Sequence, residues 1–348
     1  MDVRIPTHRR NVWVALTLLL TSCVVNPVPT PATNSKANDG LAAGGGQDTF
    51  AADTVASQDA SAQDGPGGVP SVVLVTVAAT ATDAAITGGD HLVAVGPNST
   101  GKLIVLLPED KLLPTQYTSL ATAAAQLGHR VLVLATPVGA QTVCDGDSTC
   151  LELVRQEMID GQDRTSKVTV TPADCLQNRL VKALAWLDEQ RPGEGWGSFR
   201  AGSTPVWSTI AVGGHGEGAS EAVMLAMHHT VWRVILLNGP GDGAGTQPAP
   251  WLSAAPQTPV GAWRTLGHTK DSAWVIIAAA WTALGLGSSD AAVSVDGIEQ
   301  PGISVHLLTT AMDVPDPHAA VAVDGALPDG ADALNHLHAA WKILFWPF

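Results

Sequence analysis

The sequence predicts an α/β fold, with a mostly parallel central sheet flanked by helices. From residue 90 onward, short apolar runs alternate with segments of helical periodicity. This alternation is typical of a parallel sheet that helices cover on both faces. The chain also has ample core material, because 45% of its 348 residues are hydrophobic and 14% are charged.

Each element follows from a local pattern. Short apolar runs bounded by turn residues predict buried strands, here at residues 91–95, 103–107, 131–134, 208–212, 232–237 and 303–308. Apolar residues that recur three and four positions apart predict helices, here at residues 117–127, 175–190, 219–228, 273–284 and 332–345.

The first 22 residues have the pattern of an export signal. Arg4, Arg9 and Arg10 precede an apolar run at residues 12–20, which is too short to span a bilayer. The run ends in Leu-Thr-Ser and then Cys23, an order that resembles the lipobox of bacterial lipoproteins. The resemblance implies cleavage before Cys23, lipidation of its thiol, and anchoring to a membrane in the bacterial cell envelope.

Residues 23–69 are predicted to form a tether, and residues 70–348 one large domain. The tether is rich in Pro, Gly, Ala and Asp and has few large apolar residues, so it buries too little surface to offset its ordering entropy. Val24 follows Cys23 where an Asp would retain an enteric lipoprotein in the inner membrane. The resemblance therefore favours the outer membrane.

The charge balance restricts the partners. The net charge is −14, from 18 Lys and Arg against 32 Asp and Glu. Such a chain repels nucleic acids and anionic lipids. We expect membrane lipid at Cys23 and either a small molecule or an envelope protein as partners, and no nucleic acid.

The remaining cysteines suggest one local disulfide. Cys144 and Cys150 flank a short polar loop, a spacing that favours a disulfide in an exported protein. Cys175 begins a predicted helix and is expected to be a free thiol, although a bond to either of the others stays open. No second cysteine pair or suitably spaced His accompanies them, so we expect no metal site and no cofactor.

The segment VGGHGEGAS at residues 212–220 joins a predicted strand to a predicted helix. Strand, sharp small-residue turn and helix are the context of the nucleophile elbow G-x-S-x-G. The segment resembles this elbow, and residues 91–347 resemble the α/β-hydrolase fold superfamily, in particular a secreted bacterial branch. Gly216 stands where the family has its nucleophile.

The resemblance extends to the other catalytic positions. Asp271 follows a segment that resembles the strand presenting the acid, and His318 lies in a loop that resembles the one presenting the histidine. Asp242 is a rival for the acid, and Asp271 has an alternative role as a helix cap. Glu109 follows the predicted third strand, where the family has an oxyanion donor, and Glu217 completes the predicted oxyanion region.

The resemblance implies a lipoprotein with a hydrolase-like domain that is non-catalytic or weakly catalytic and binds a ligand or partner. Gly216 offers no atom for an acyl-enzyme, and a carboxylate at Glu109 opposes a developing oxyanion. The alternative is an active ester or lipid hydrolase with an unorthodox nucleophile, such as Ser220, or a water activated by His318 or Glu217. A purely structural envelope protein is a third hypothesis.

A dinucleotide site is a weaker interpretation. The pattern G-x-G-x-x-A, from residue 214 to Ala219, fits the dinucleotide fingerprint. That fingerprint belongs on the first strand of its unit, whereas here several predicted strands precede it. His215 within the segment is expected to be a surface or core-edge residue.

Overall fold

The computed structural model describes residues 71–137, 141–297, 306–328 and 331–346. The predicted export signal and the whole of the predicted tether, including Cys23, lie outside these residues. Within them, nine strands form one sheet in the order β1-β2-β4-β3-β5-β6-β7-β9-β8. In chain order the strands are Val73–Ala78, Asp90–Val95, Leu103–Leu107, Arg130–Val133, Ile210–His215, Arg233–Leu237, Trp263–His268, Val293–Ser294 and Leu307–Thr310.

The sheet is mostly parallel, as predicted. Strand β2 pairs antiparallel with β1 and β4, and every other pair in the sheet is parallel. The central strands β3, β5 and β6 are buried along their whole length, which explains why they are apolar apart from His215 at the end of β5 and Arg233 at the start of β6.

Six longer helices accompany the sheet. They are α1 to α6, at Thr118–Gln126, Ser148–Asp160, Leu176–Gln190, Glu217–His228, Trp274–Ala283 and Ala331–Phe345. The two largest apolar clusters of the described residues are separate, as expected for a sheet covered on both faces. One contains Leu184, Leu187 and Val223 from α3 and α4, and the other Leu120, Trp341 and Leu344 from α1 and α6.

Shorter elements connect these parts. Single helical turns lie at Ala79–Thr82 and Gln141–Cys144, and two small ribbons pair Arg200–Ala201 with Thr204–Pro205 and Gly243–Ala244 with Gln247–Pro248. The 3₁₀ turns are Pro114–Tyr117, Trp196–Phe199, Trp207–Thr209, Pro250–Ser253, Val260–Ala262, Ser289–Ala291, Ala319–Val321 and Asp324–Ala326. Among the helices of the described ranges, none has the length and apolarity to cross a membrane.

The predicted disulfide is present. Cys144 and Cys150 are bonded, and Cys175 is a buried free thiol. The bond closes the loop before α2, where the Asp147 carboxylate accepts the backbone N–H groups of Thr149 and Cys150 and caps the helix.

Four of the numbered elements were not predicted: β1, β7, β8 and α2. The inner face of α2 carries Arg155 and Glu157, and the buried strand β7 contains Arg264 and His268. Charged and polar side chains on buried faces break the apolar periodicity on which the prediction rests.

Candidate functional site

The candidate site lies at the carboxyl ends of four parallel strands, β3, β5, β7 and β9. Glu109 follows β3, Gly216 follows β5, Asp271 follows β7 and His318 follows β9. Ligand sites of open α/β sheets lie at this edge, because the loops after adjacent strands converge there.

Gly216 has the backbone conformation of a strained turn. Strand β5 runs to His215, Gly216 has φ 55° and ψ −113°, and α4 begins at Glu217. A positive φ with this ψ is costly for a residue with a side chain. The predicted strand–turn–helix is therefore present, with the strained residue at the position that corresponds to the nucleophile.

The carboxylate of Glu109 fills the space above Gly216. A Cβ atom added to Gly216 would lie 1.3 Å from Glu109 Oε2 and 2.9 Å from His318 Nε2. The backbone N–H of Glu217, at the start of α4, donates to the same Oε2 at 2.8 Å. The Glu109 side chain, from the loop after β3, thus fills the nucleophile position and also accepts the hydrogen bond of the adjoining N–H group.

His318 lies between two carboxylates. Its Nδ1 is 2.6 Å from Asp271 Oδ2, and its Nε2 is 3.4 Å from Glu109 Oε2. Burial lowers the pKa of His318, but the hydrogen bonds to Asp271 and Glu109 outweigh it and raise the pKa to about 10. At neutral pH the imidazole is therefore a cation that donates to both carboxylates.

The His318 cation affects the pKa values of the Glu109 and Asp271 carboxyls. Burial raises the pKa of each carboxyl, but the hydrogen bond to His318 and further contacts bring both pKa values below their ordinary range. Asp271 also accepts the backbone N–H of Ala273 through Oδ1 at 2.8 Å. This bond lies in the turn before α5, whose N-cap is Ala273 and has no side-chain cap, so Asp271 does not have the alternative role of helix cap.

His215 is buried, contrary to the expectation of a surface or core-edge residue. Only 1% of it is exposed. Its Nε2 lies 2.9 Å from the carbonyl oxygen of His318, and its Nδ1 lies 3.0 Å from the hydroxyl of Tyr117. Burial is the main cause that lowers the pKa of His215 to about 4, so the ring is neutral. These contacts indicate that Nε2 carries the proton and that Nδ1 accepts the Tyr117 hydroxyl.

The rival acid Asp242 lies in a different group of charges. Arg155 donates to both of its oxygens, at 3.2 and 3.0 Å, and the Ser220 hydroxyl donates to it at 2.6 Å. Glu221 lies 3.7 Å from Arg155. We call Arg155, Glu221 and Asp242 the buried cluster, and Glu109, Asp271 and His318 the cleft cluster. Because the Ser220 hydroxyl bonds to Asp242 and is fully buried, Ser220 is not placed as a nucleophile.

Of the predicted residues, the structure brings together Gly216, Glu109, Glu217, Asp271 and His318. Sequence reasoning missed two neighbours of this group, Tyr117 and Asn238. The Asn238 amide donates to the carbonyl oxygens of Pro317 and His318, at 2.9 and 2.7 Å, and so holds the loop that carries His318. The single tyrosine of the chain is Tyr117, but no local pattern connects it to His215.

No protein-family model and no curated protein matches the sequence. The chain is similar to a protein described as a dienelactone hydrolase from Klebsiella pneumoniae, at 12% identity over 79% of this chain and 98% of that chain, with a TM-score of 0.43. It is similar to the carboxylesterase EstE1 from a metagenomic library, at 12% over 83% and 91%, with a TM-score of 0.40. It is also similar to TT1662 from Thermus thermophilus, at 11% over 74% and 91%, with a TM-score of 0.38. The sheet order and the strained turn between β5 and α4 give this domain the α/β-hydrolase fold.

Proposed function

We propose that this protein is a membrane-tethered α/β-hydrolase-like protein that binds a ligand in its cleft and does not carry out acyl transfer. One observation carries the proposal: the Glu109 carboxylate lies where the side chain of a nucleophile would extend from Gly216. Without a nucleophile, a triad enzyme keeps only roughly 10³–10⁴-fold catalysis over water.

The electrostatics of the cleft support the same proposal. The N–H of Glu217 already binds a carboxylate, so a substrate oxyanion would meet a negative charge there. Loss of one oxyanion donor costs about 10²–10³-fold in rate. His318 is protonated at neutral pH, so it is not available as a general base.

Ester hydrolysis tests the proposal. We expect the purified chain to hydrolyse short p-nitrophenyl esters at the background rate, and a fluorophosphonate probe to leave it unlabelled. His318→Ala should leave that rate unchanged. Hydrolysis at a rate typical of esterases, lost in His318→Ala, would contradict the proposal.

One geometric observation favours a second candidate, an ester hydrolase with Glu109 as its nucleophile. Glu109 Oε2 lies beside His318 and the Glu217 N–H. In that reaction the carboxylate attacks the acyl carbon and His318 protonates the departing alkoxide. Water then attacks the Glu109 carbonyl carbon of the resulting anhydride, releases the substrate's acid and leaves its oxygen in Glu109. Turnover in ¹⁸O-labelled water followed by mass spectrometry distinguishes it, because only this route transfers ¹⁸O into Glu109.

The location of the protein is proposed from the sequence alone. The order of residues before Cys23 supports lipidation and attachment to the cell envelope, with the outer membrane preferred. Mass spectrometry of the mature N-terminus is expected to show an acylated Cys23. In Cys23→Ser the acyl mass should be absent, and the protein should leave the membrane fraction. An unmodified Cys23 would contradict the anchor without affecting the proposal for the cleft.

A further inference from the structure

Three side chains that commonly bind metals converge in the cleft. Glu109, His215 and His318 each offer one ligand atom, and these atoms lie within 4.8 Å of one another. We infer that they bind one divalent transition-metal ion, with zinc the best match to two imidazoles and one carboxylate. The inference rests on the proposed function, since it names the ligand of the same cleft. It departs from the sequence analysis, which predicted no metal site.

Two of the three ligand atoms already have the spacing of a zinc site. His318 Nε2 and Glu109 Oε2 are 3.4 Å apart. Two atoms that each lie about 2.0–2.1 Å from a tetrahedral zinc are about 3.3–3.4 Å apart. A metal ion between them would replace the shared proton, which His318 releases to solvent on binding.

His215 can supply the third ligand once its Nε2 leaves its present hydrogen bond and its proton moves to Nδ1. Its Nε2 bonds to the carbonyl oxygen of His318, and the Asn238 amide donates to the same oxygen at 2.7 Å. That carbonyl therefore keeps a hydrogen bond if His215 leaves it. From a separation of at most 4.8 Å, the ring has to approach the other two ligands by up to about 1.5 Å to reach tetrahedral spacing.

The surroundings have the features that support metal ligands. Asp271 accepts from Nδ1 of His318, and the Tyr117 hydroxyl lies 3.0 Å from Nδ1 of His215. Partners of this kind orient ligating imidazoles. For Nε2 of His215 to bind the ion, its proton has to move to Nδ1, which then donates to the Tyr117 hydroxyl. A dication would balance the carboxylates of Glu109 and Asp271, and three protein ligands would leave a fourth position for water.

Gly216 makes the arrangement possible. A Cβ atom at this position would collide with Glu109 Oε2 and lie 2.9 Å from His318 Nε2. Only glycine lets these two side chains approach each other above the turn. The inference thus gives a physical reason for glycine at the nucleophile position.

Metal binding to the purified full chain tests the inference. Equilibrium dialysis against Zn²⁺ with elemental analysis should give one saturable site per chain, and Co²⁺ in its place should show the visible bands of a tetrahedral ion. Glu109→Gln and His318→Asn should each weaken zinc binding by at least about 10-fold. Asp110→Asn, in the same loop, and His336→Asn, on α6, should bind zinc like the wild type.

Gly216→Ala blocks the site without removing a ligand, and we expect it to lose the bound zinc while its circular dichroism stays native. The inference is overturned if the wild type shows no saturable zinc binding, or if neither Glu109→Gln nor His318→Asn changes the affinity. The ester assay is run with EDTA, so that a zinc-bound water cannot contribute to hydrolysis and the two results stay independent. Absent zinc binding with absent hydrolysis removes only the inference, whereas rapid hydrolysis removes the proposed function.

Discussion

The cleft cluster and the buried cluster each contain one basic side chain, one glutamate and one aspartate, but they lie in different environments. In the cleft cluster, His318 lies between Glu109 and Asp271 at the carboxyl edge of the sheet. In the buried cluster, Arg155 lies between Glu221 and Asp242 against α4. The His318 side chain is 33% exposed, whereas that of Arg155 is fully buried. The two groups also differ in the basic side chain, which is an imidazole in one and a guanidinium in the other.

The difference appears in the protons that the glutamates hold. Burial is the main cause that raises the pKa of Glu221 to about 8, and the 3.7 Å contact with Arg155 does not compensate for it. Glu109 is also desolvated, yet its hydrogen bond to His318 and further contacts lower its pKa. The buried cluster therefore holds a protonated carboxyl at neutral pH, and the cleft cluster holds a proton on its imidazole.

The largest expected effect comes from converting the cleft cluster into a catalytic triad. Gly216→Ser alone should stay near the wild-type rate of ester hydrolysis, because the new Cβ meets the Glu109 carboxylate. Gly216→Ser combined with Glu109→Ala frees the Glu217 N–H and restores a nucleophile. We expect a gain of at least about 10²-fold in p-nitrophenyl acetate hydrolysis.

Adding His318→Ala to that double variant provides the control and should return the rate to background. A folded double variant that shows no gain would mean that the cleft no longer has the geometry of a triad. A large gain from Gly216→Ser alone would mean that Glu109 leaves the site readily.

The second effect concerns the buried cluster and stability. Arg155→Met leaves Asp242 as an uncompensated buried charge, which typically costs about 3–5 kcal/mol. The matched control is Arg164→Met, which removes a partly exposed ion pair to Asp160 and should cost about 0.5 kcal/mol. Urea unfolding measures both free energies. If Arg155→Met lowers the free energy of unfolding as little as Arg164→Met does, Arg155 is not needed to compensate a buried charge on Asp242, and this prediction is wrong.

The pH dependence of stability should separate the two clusters further. The folded pKa of Glu221 is about 8 against an ordinary value of 4.5, so between these values only the folded chain keeps the proton. The folded pKa of His318 is about 10 against an ordinary value of 6.5, so between these values only the folded chain keeps the proton of this imidazole. Because the folded state binds more protons in both windows, stability should fall as the pH rises through each.

Two variants test which ionisable group causes the loss of stability in each pH range. In urea unfolding followed against pH, Glu221→Gln should flatten the decline between about pH 4.5 and 8, and Asp271→Asn the decline between about pH 6.5 and 10. The exposed control Glu189→Gln should change neither. A decline that persists unchanged in Glu221→Gln would contradict the protonated state of the buried cluster.

The smallest effect tests whether the clusters are independent. Asp147→Ala removes the cap of α2, the helix that carries Arg155, and should lower the free energy of unfolding by about 1 kcal/mol. Asp147→Asn keeps an acceptor and should cost less. Zinc affinity and ester hydrolysis are expected to stay unchanged in both variants. A change in either would show that the cleft depends on this helix.

Much of the fold was predictable because its elements are local. The predicted strand at 103–107 coincides with Leu103–Leu107, and the helix at 175–190 differs by one residue from Leu176–Gln190. The strand predicted at 208–212 is Ile210–His215, because the glycines of the elbow continue in the sheet before the turn. The late strand is Leu307–Thr310, and residues 303–305 of its prediction lie outside the described residues.

By itself, the sequence determined the α/β architecture, the strand–turn–helix at Gly216 and the disulfide, because periodicity, small residues and short spacings are properties of neighbouring positions. Only the tertiary structure decided that Glu109 fills the space above Gly216, that Asp271 and not Asp242 contacts His318, and that His215 is buried against the same loop. These contacts join loops that lie far apart in the chain, such as Glu109 and His318. Their partners depend on how the strand ends meet, which a local pattern does not encode.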